Sequence, residues 1–279
     1  MSHLSSPSPM QPLSVGNVVT AGLRIYRTHF KSYLQLALKA YLWILVPVYG
    51  WAKFYALSGL LSRVVFGELV NQPESIESGS RYVNSKKWQF LVTFLLMFLI
   101  GLGVGIGFFI VILVFGGIFG GLAAVGNPAG IGIAVLFAIV AAIAALSGIF
   151  WLLTRFFIVV VPLAIEENVN GSSTISRSWE LTKGYVWRLL GISFVAYLIT
   201  LPLQIAVQVV SNVIQIIFAL FLQQDSPVLG FILFVTILAL TLLSGALVLP
   251  FWQAIQAVVY YDLRTRREGL GLKLRDREI

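Results

Sequence analysis

The chain contains no cysteine, which removes disulfides, thiolate metal sites and thiol nucleophiles at the outset. Histidine is nearly as scarce, with only His3 and His29 among 279 residues. Charge is sparse too. Asp, Glu, Lys and Arg make up 11% of the residues against 58% hydrophobic, and the mean hydropathy is +0.92. A water-soluble domain could not cover that much apolar side chain with so few charges, so the composition points to an integral membrane protein. Several apolar runs exceed the roughly 20 residues that cross about 30 Å of hydrocarbon, and none shows the short alternating pattern of a barrel strand, so helices are predicted. The opening MSHLSSPSPMQPL has neither a basic n-region nor an apolar h-region. Residues 1–13 therefore read as a disordered tail and not as a cleaved signal.

What charge there is has a sign, with 19 Lys and Arg against 11 Asp and Glu for a net +8. In a soluble protein that excess would suggest nucleic acid. Here the basic residues flank apolar runs, so anionic lipid headgroups are the nearer partner and no nucleic acid is expected. Apolar runs fall at about 32–50, 51–70, 88–121, 131–162, 188–222 and 228–261. Segments 14–31, 71–87, 168–188 and 262–279 carry Arg and Lys, whereas 122–130 and 223–227 carry none. The positive-inside rule makes the basic set cytoplasmic and requires an even number of crossings between neighbouring basic segments. Six spans within one membrane domain at 14–268 satisfy this, with both termini, including a tail at 269–279, on the cytoplasmic side of what reads as a bacterial inner membrane. The first pair is the least regular, because Lys39, Lys53 and Arg63 interrupt it and the turn near Tyr49 to Trp51 is tight. A re-entrant hairpin there keeps the same parity.

Three basic segments read as amphipathic helices in the interface, at about 14–31, 73–87 and 173–187. In the first, Val15, Val18, Val19, Gly22, Ile25, Tyr26 and Phe30 share a face, with Ser14 as N-cap and Arg24, Arg27 and Lys31 on the opposite side. In the third, Ile175, Ser178, Trp179, Thr182 and Tyr185 gather on one side and Arg177, Glu180, Lys183 and Arg188 elsewhere, with Gly184 permitting a bend. The expectation is that each apolar face enters the headgroup and acyl boundary while Arg188 snorkels outward. Displacing the sequence so that Glu68 falls on Glu167 also brings Val70, Asn71, Ile76, Trp88 and Leu91 onto Val169, Asn170, Ile175, Trp187 and Leu190. This suggests a unit of surface helix, span out and span back, used three times.

PLSVGNVVTAGLRIYRTHF (12–30), RFFIVVVPLAIEENVNGSSTISRSWELTKGYVWRLLGI (155–192) and VVYYDLRTRREGLGLKL (258–274) resemble, in order, the membrane domain that accompanies glycerophosphoryl diester phosphodiesterases and also stands alone in many bacterial membrane proteins. The resemblance implies an all-α six-span module. It carries no activity, because that family's name comes from a separate catalytic domain. Two departures are Ser147 and Gly148, where a proline is usual, and Gly271 and Lys273, where acids are usual.

Several residues are candidates for more than packing. Arg24, Arg27, Lys31, Arg177, Lys183, Arg188, Arg264 and Arg266 could hold lipid headgroups or simply fix topology. Glu166, with Glu167 beside it and Arg155 some turns earlier, could form a proton or cation site, or these residues could pair with each other or with basic surface helices. Lys39 lies inside the first apolar run, where snorkelling is the expected solution. Gln204, Gln208, Ser211, Asn212 and Gln215 form a stripe on one face, either for interhelical hydrogen bonds or for a watery passage. Gly101, Gly103, Gly105, Gly107, Gly116, Gly117, Gly120 and Gly121 give small-xxx-small pairs suited to close packing on the fourth span or on another copy. Asp262 with Arg266 and Arg264 with Glu268 sit at i, i+4, and Gly269 follows as a stop. No cofactor or metal is expected. The leading reading is a non-enzymatic membrane module that contacts a leaflet or scaffolds a membrane protein partner or a homo-oligomer. A transporter or channel comes second, and an intramembrane lipid-modifying enzyme third.

Overall fold

The computed structural model describes residues 13–124, 128–221 and 226–269. The N-terminal tail up to residue 12, both non-basic connections in part, and the tail from residue 270 lie outside the described residues. Among the described residues there are ten helices and no strand: α1 Val15–Thr28, α2 Phe30–Ile44, α3 Tyr49–Leu69, α4 Ile76–Ser85, α5 Lys87–Ala124, α6 Pro128–Arg155, α7 Val160–Ile165, α8 Ser173–Thr182, α9 Val186–Phe221 and α10 Pro227–Glu268.

Local chemistry sets the boundaries. Ser14 Oγ accepts from Asn17 N and Ser75 Oγ accepts from Ser78 N, so α1 and α4 each begin at a serine that satisfies an otherwise orphaned amide. Asn170 Oδ1 accepts from the amides of Ser172 and Ser173 at the start of α8. Pro227 opens α10, where a missing N–H costs nothing, and Gly269 closes it at φ 63°. Between α8 and α9 the bend falls on Gly184, whose φ of 84° is a conformation other residues avoid.

Four helices are long and apolar enough to cross a membrane: Lys87–Gly121, Pro128–Ile165 (α6 continued through α7), Val186–Leu220 and Pro227–Glu268. Side chains along their outer parts are apolar and exposed, including Leu102 to Ile118, Ile131 to Leu153, Ile205 to Leu220 and Val228 to Leu243. Each stretch is close to the roughly 20 residues that hydrocarbon requires, and an exposed apolar surface of that length suits lipid. The chain is thus an all-α integral membrane protein.

The remaining helices form a base around the inner half of α10. Running inward along that helix, Gly245 faces the ring of Tyr41, Leu247 O accepts from Tyr26 Oη, Gln253 Oε1 accepts from Ser62 Oγ at 2.6 Å, Ile255 abuts Gly22, and Asp262 meets Leu13. The first apolar pair behaves differently from the other four runs. α2 has 15 residues, and α3 has 21, with Ala56 to Ser62 buried by the chain itself. Exposed Leu42, Leu45, Val46, Val48 and Trp51 cluster at the turn between them.

Three expectations need correction. The apolar faces of the surface helices do not enter lipid: Val18 of α1, Val83 of α4 and Leu181 of α8 are at most 1% exposed because the chain's own core covers them. Periodicity reveals an apolar face but not what covers it. Arg188 does not snorkel outward but points to Asp262. The α5 glycines do not mediate packing on α6 either. A Cβ at Gly101, Gly103, Gly105, Gly107, Gly116, Gly117, Gly120 or Gly121 would meet nothing within 4 Å. The α5 and α6 contact runs through Phe115, Phe119 and Phe137, and through Phe108 against Gly148.

Glycine substitutions test this packing. At Gly50 a Cβ would sit 1.8 Å from Trp43 O, so Gly50→Ala forces the α2–α3 turn open. It is expected to destabilise the protein by about 1–3 kcal/mol. Gly101→Ala is expected to be neutral or to stabilise by up to about 1 kcal/mol, since it gains helix propensity in open space. Thermal unfolding in mild detergent distinguishes the two.

Candidate functional site

The charged residues of the base gather into linked clusters. The deepest centres on Asp262, which is 3% exposed on α10. Its Oδ2 accepts from Arg188 Nη1 of α9 at 2.6 Å and from Arg266 Nε at 2.8 Å, while Oδ1 accepts from the Leu13 amide at 3.1 Å. Arg188 and Arg266 also both donate to the Leu13 carbonyl. One carboxylate therefore ties α9, the inner end of α10 and the segment leading into α1. The desolvation of a buried charge is offset here because both carboxylate oxygens are engaged, two of the three contacts being charge-assisted.

A second cluster closes on itself. Glu166 Oε1, just past α7, accepts from Arg177 Nε at 3.0 Å and from Tyr260 Oη. Arg177 reaches Glu268 Oε1, Glu268 Oε2 takes Arg264 Nε at 2.8 Å, and Arg264 Nη1 returns to the Tyr260 hydroxyl at 3.3 Å. Two carboxylates and two guanidiniums neutralise one another around one phenol. Burial alone would lower the Arg177 pKa, but the adjoining Glu166 and Glu268 outweigh it and hold the guanidinium above its ordinary value.

A third group caps the chain where it leaves α7. Lys86 Nζ donates to the carbonyls of Glu166, Glu167 and Val169, and Arg63 Nη1 donates to Ala164 O. Carbonyls at the end of a helix have no partner within it, and these two cations supply one. Arg63 also pairs with Glu74 at 2.6 Å, and its guanidinium lies 4.0 Å from the centroid of the Tyr82 ring.

The sequence candidates therefore separate. Arg177, Arg188, Arg264 and Arg266 are bound to acids inside the base and are not free for headgroups. Both i, i+4 pairs, Asp262 with Arg266 and Arg264 with Glu268, are present. Arg155 does not pair with Glu166. Its guanidinium stacks 4.1 Å from the Trp179 centroid, and its carbonyl accepts from Ser178 and Thr182. Arg24, Arg27, Lys31, Lys39 and Lys183 are exposed, and among the described residues their side chains meet no acid.

The polar stripe of α9 satisfies itself along its own helix. Gln208 Nε2 donates to Asn212 Oδ1 at 2.9 Å, Gln204 to Thr200 Oγ1, and Gln215 to Ser211 O. Gln253 of α10 bonds Ser62 of α3 and not the stripe. Gln204, Gln208, Ser211 and Gln215 nevertheless line a cavity of about 240 Å³ together with Thr241 and Ser244 of α10.

The importance of Tyr260, Lys86, Arg63 and Glu74 is not marked by any sequence motif. Their partners lie far away along the chain, and only the acid and base count hinted that pairs must form. No family model, curated protein or solved structure matches the chain.

Asp262→Asn keeps the shape and removes the charge shared by two arginines. It is expected to cost about 3–5 kcal/mol, the typical result of leaving buried partners unpaired. The Leu13 segment should also be released, which limited proteolysis of the N-terminal region would detect as faster cleavage than in the parent.

Proposed function

We propose that the chain is a non-enzymatic membrane module whose base rests against an anionic leaflet and organises neighbouring lipid or protein there. The observation that carries this reading is the partition of its cations. One set is consumed in internal ion pairs, while Arg24, Arg27 and Lys31 on α1 and α2, Lys39 further along α2, and Lys183 beside α8 remain outward and, among the described residues, meet no acid. A basic residue near a charged leaflet contributes about 1 kcal/mol. The apolar face of each surface helix is used internally, so headgroup contact would come from these cations and not from insertion of the helices.

In this reading the base is cytoplasmic, as the positive-inside rule asks, with the membrane being a bacterial inner membrane as the family resemblance implies. α2 and α3 form a hairpin whose apolar turn enters the near leaflet. The order of short helix, outgoing helix and returning helix, seen in α1 to α3, α4 to α7 and α8 to α10, supports a threefold construction. Trp43 at the end of α2, Tyr49 and Lys53 at the start of α3, and Lys87 and Trp88 at the start of α5 lie together, a combination suited to the headgroup level.

A transporter or channel is the second reading, favoured by the cavity between α9 and α10. Because the chain has no cysteine, single cysteines report cleanly. Under the leading reading Gln208→Cys and Asn212→Cys resist aqueous maleimide, and their ready labelling would favour a passage. An impermeant reagent should reach Ser85→Cys and Lys183→Cys from one side and Gly230→Cys from the other. For leaflet contact, combined Arg27→Ser, Lys31→Ser and Lys183→Ser should strip most of the co-purified anionic lipid, since three losses of about 1 kcal/mol each weaken retention by about two orders of magnitude, with unchanged thermal stability. Unchanged anionic lipid content in this variant would refute the proposal.

A further inference from the structure

A cavity of about 390 Å³ opens where the end of α1 meets the end of α3, lined by Arg24, Ile25, Thr28, His29, Glu68, Leu69 and Asn71. Its size is at the small end of the roughly 300–1,000 Å³ typical of ligand pockets. Two opposite charges face this space without neutralising each other, since no Arg24 nitrogen lies within 4.0 Å of a Glu68 carboxylate oxygen. Glu68 Oε1 is engaged: it accepts from Tyr33 Oη at 3.0 Å, and His29 Nδ1 lies 3.3 Å from it. Glu68 Oε2, the Arg24 guanidinium and the side-chain amide of Asn71 have no partner among the described residues. Asn71 is held at φ 56°, a left-handed conformation that asparagine adopts more readily than most residues, beside the acid.

We propose that this cavity binds a phosphoethanolamine group, with its primary ammonium on Glu68 and its phosphate on Arg24 and His29. A ligand carrying both charges satisfies both walls at once, which neither inorganic phosphate nor a simple cation does. The lining also selects the kind of ammonium. Quaternary ammonium groups are recognised by aromatic faces, and none of the lining residues is Trp, Tyr or Phe. A primary ammonium instead offers N–H donors that a carboxylate oxygen accepts at close range. This proposal shares Arg24 with the anionic-leaflet reading but does not rest on it, because the leaflet test removes only Arg27, Lys31 and Lys183, which lie outside the cavity.

The test uses the full chain in mild detergent, stripped of lipid, titrated by calorimetry with dihexanoyl phosphatidylethanolamine, dihexanoyl phosphatidylcholine, O-phosphoethanolamine and inorganic phosphate. The ethanolamine lipid is expected to bind about tenfold or more tighter than the choline lipid, the discrimination that one charge-assisted contact supplies. Glu68→Gln should reduce that preference to about twofold or less, and Arg24→Ala should weaken both lipids. Tyr33→Phe removes an internal partner of Glu68 but leaves its charge, so it should retain the preference. This variant separates loss of recognition from loss of fold. Tight binding of O-phosphoethanolamine alone would identify a free headgroup as the ligand, and binding of the lipid alone would identify a membrane lipid. Equal affinity for the two lipids in the parent chain, or a preference that survives Glu68→Gln, overturns the proposal. Glu68→Gln should leave anionic lipid retention unchanged, so the two readings fail separately.

Discussion

The carboxylate of Asp262, enclosed by two guanidiniums and a backbone amide, sets the geometry of the whole base. A charge so nearly withdrawn from solvent is tolerated only when its partners are fixed. That requirement places α9 against α10 and brings the entry to α1 alongside both. From there α1 follows α10 outward, Gly22 admits Ile255, and Tyr26 reaches the carbonyl of Leu247. The closed ring of Glu166, Arg177, Glu268, Arg264 and Tyr260 then joins α7 and α8 to the same helix end. Packing supplies most of the stabilisation, but these polar links select one arrangement of helices that are otherwise interchangeable in their oiliness.

The division between base and outer spans follows from the same economy of charge. Outside the base the long helices carry almost nothing but apolar side chains, and their surfaces need no partner beyond lipid. Helix association in hydrocarbon gains little from burial, so it depends on shape and polar contacts. Aromatic contacts join α5 to α6, and the polar stripe of α9 borders a small cavity beside α10. The exposed glycines of α5 have open space beside them among the described residues.

Much of this was legible before any coordinates. Hydropathy located the long helices, Ser14 and Gly184 marked two boundaries, and the i, i+4 spacing gave the two ion pairs on α10. The apolar stripe of α1 was legible as well, but its covering was not, because Val18 and Ile25 look the same against lipid as against Ile255. Long-range pairs such as Arg188 with Asp262 or Arg177 with Glu166 were hidden for a related reason. Many cations were available to few acids, and nothing local assigns one to another. The pocket at Arg24 and Glu68 depends on two unlinked helix ends meeting, which no spacing encodes.

The bond from the Leu13 amide to Asp262 joins residues 249 positions apart. During synthesis the segment before α1 emerges early, yet its counterpart leaves the ribosome only after the intervening helices have been made. Until then Leu13 has no carboxylate to hold it and the inner face of α1 has no α10 to cover it. A chain arrested before α10 would therefore display an apolar stripe and an untethered leading segment together, a combination by which surveillance proteases and chaperones can tell an unfinished molecule from a finished one.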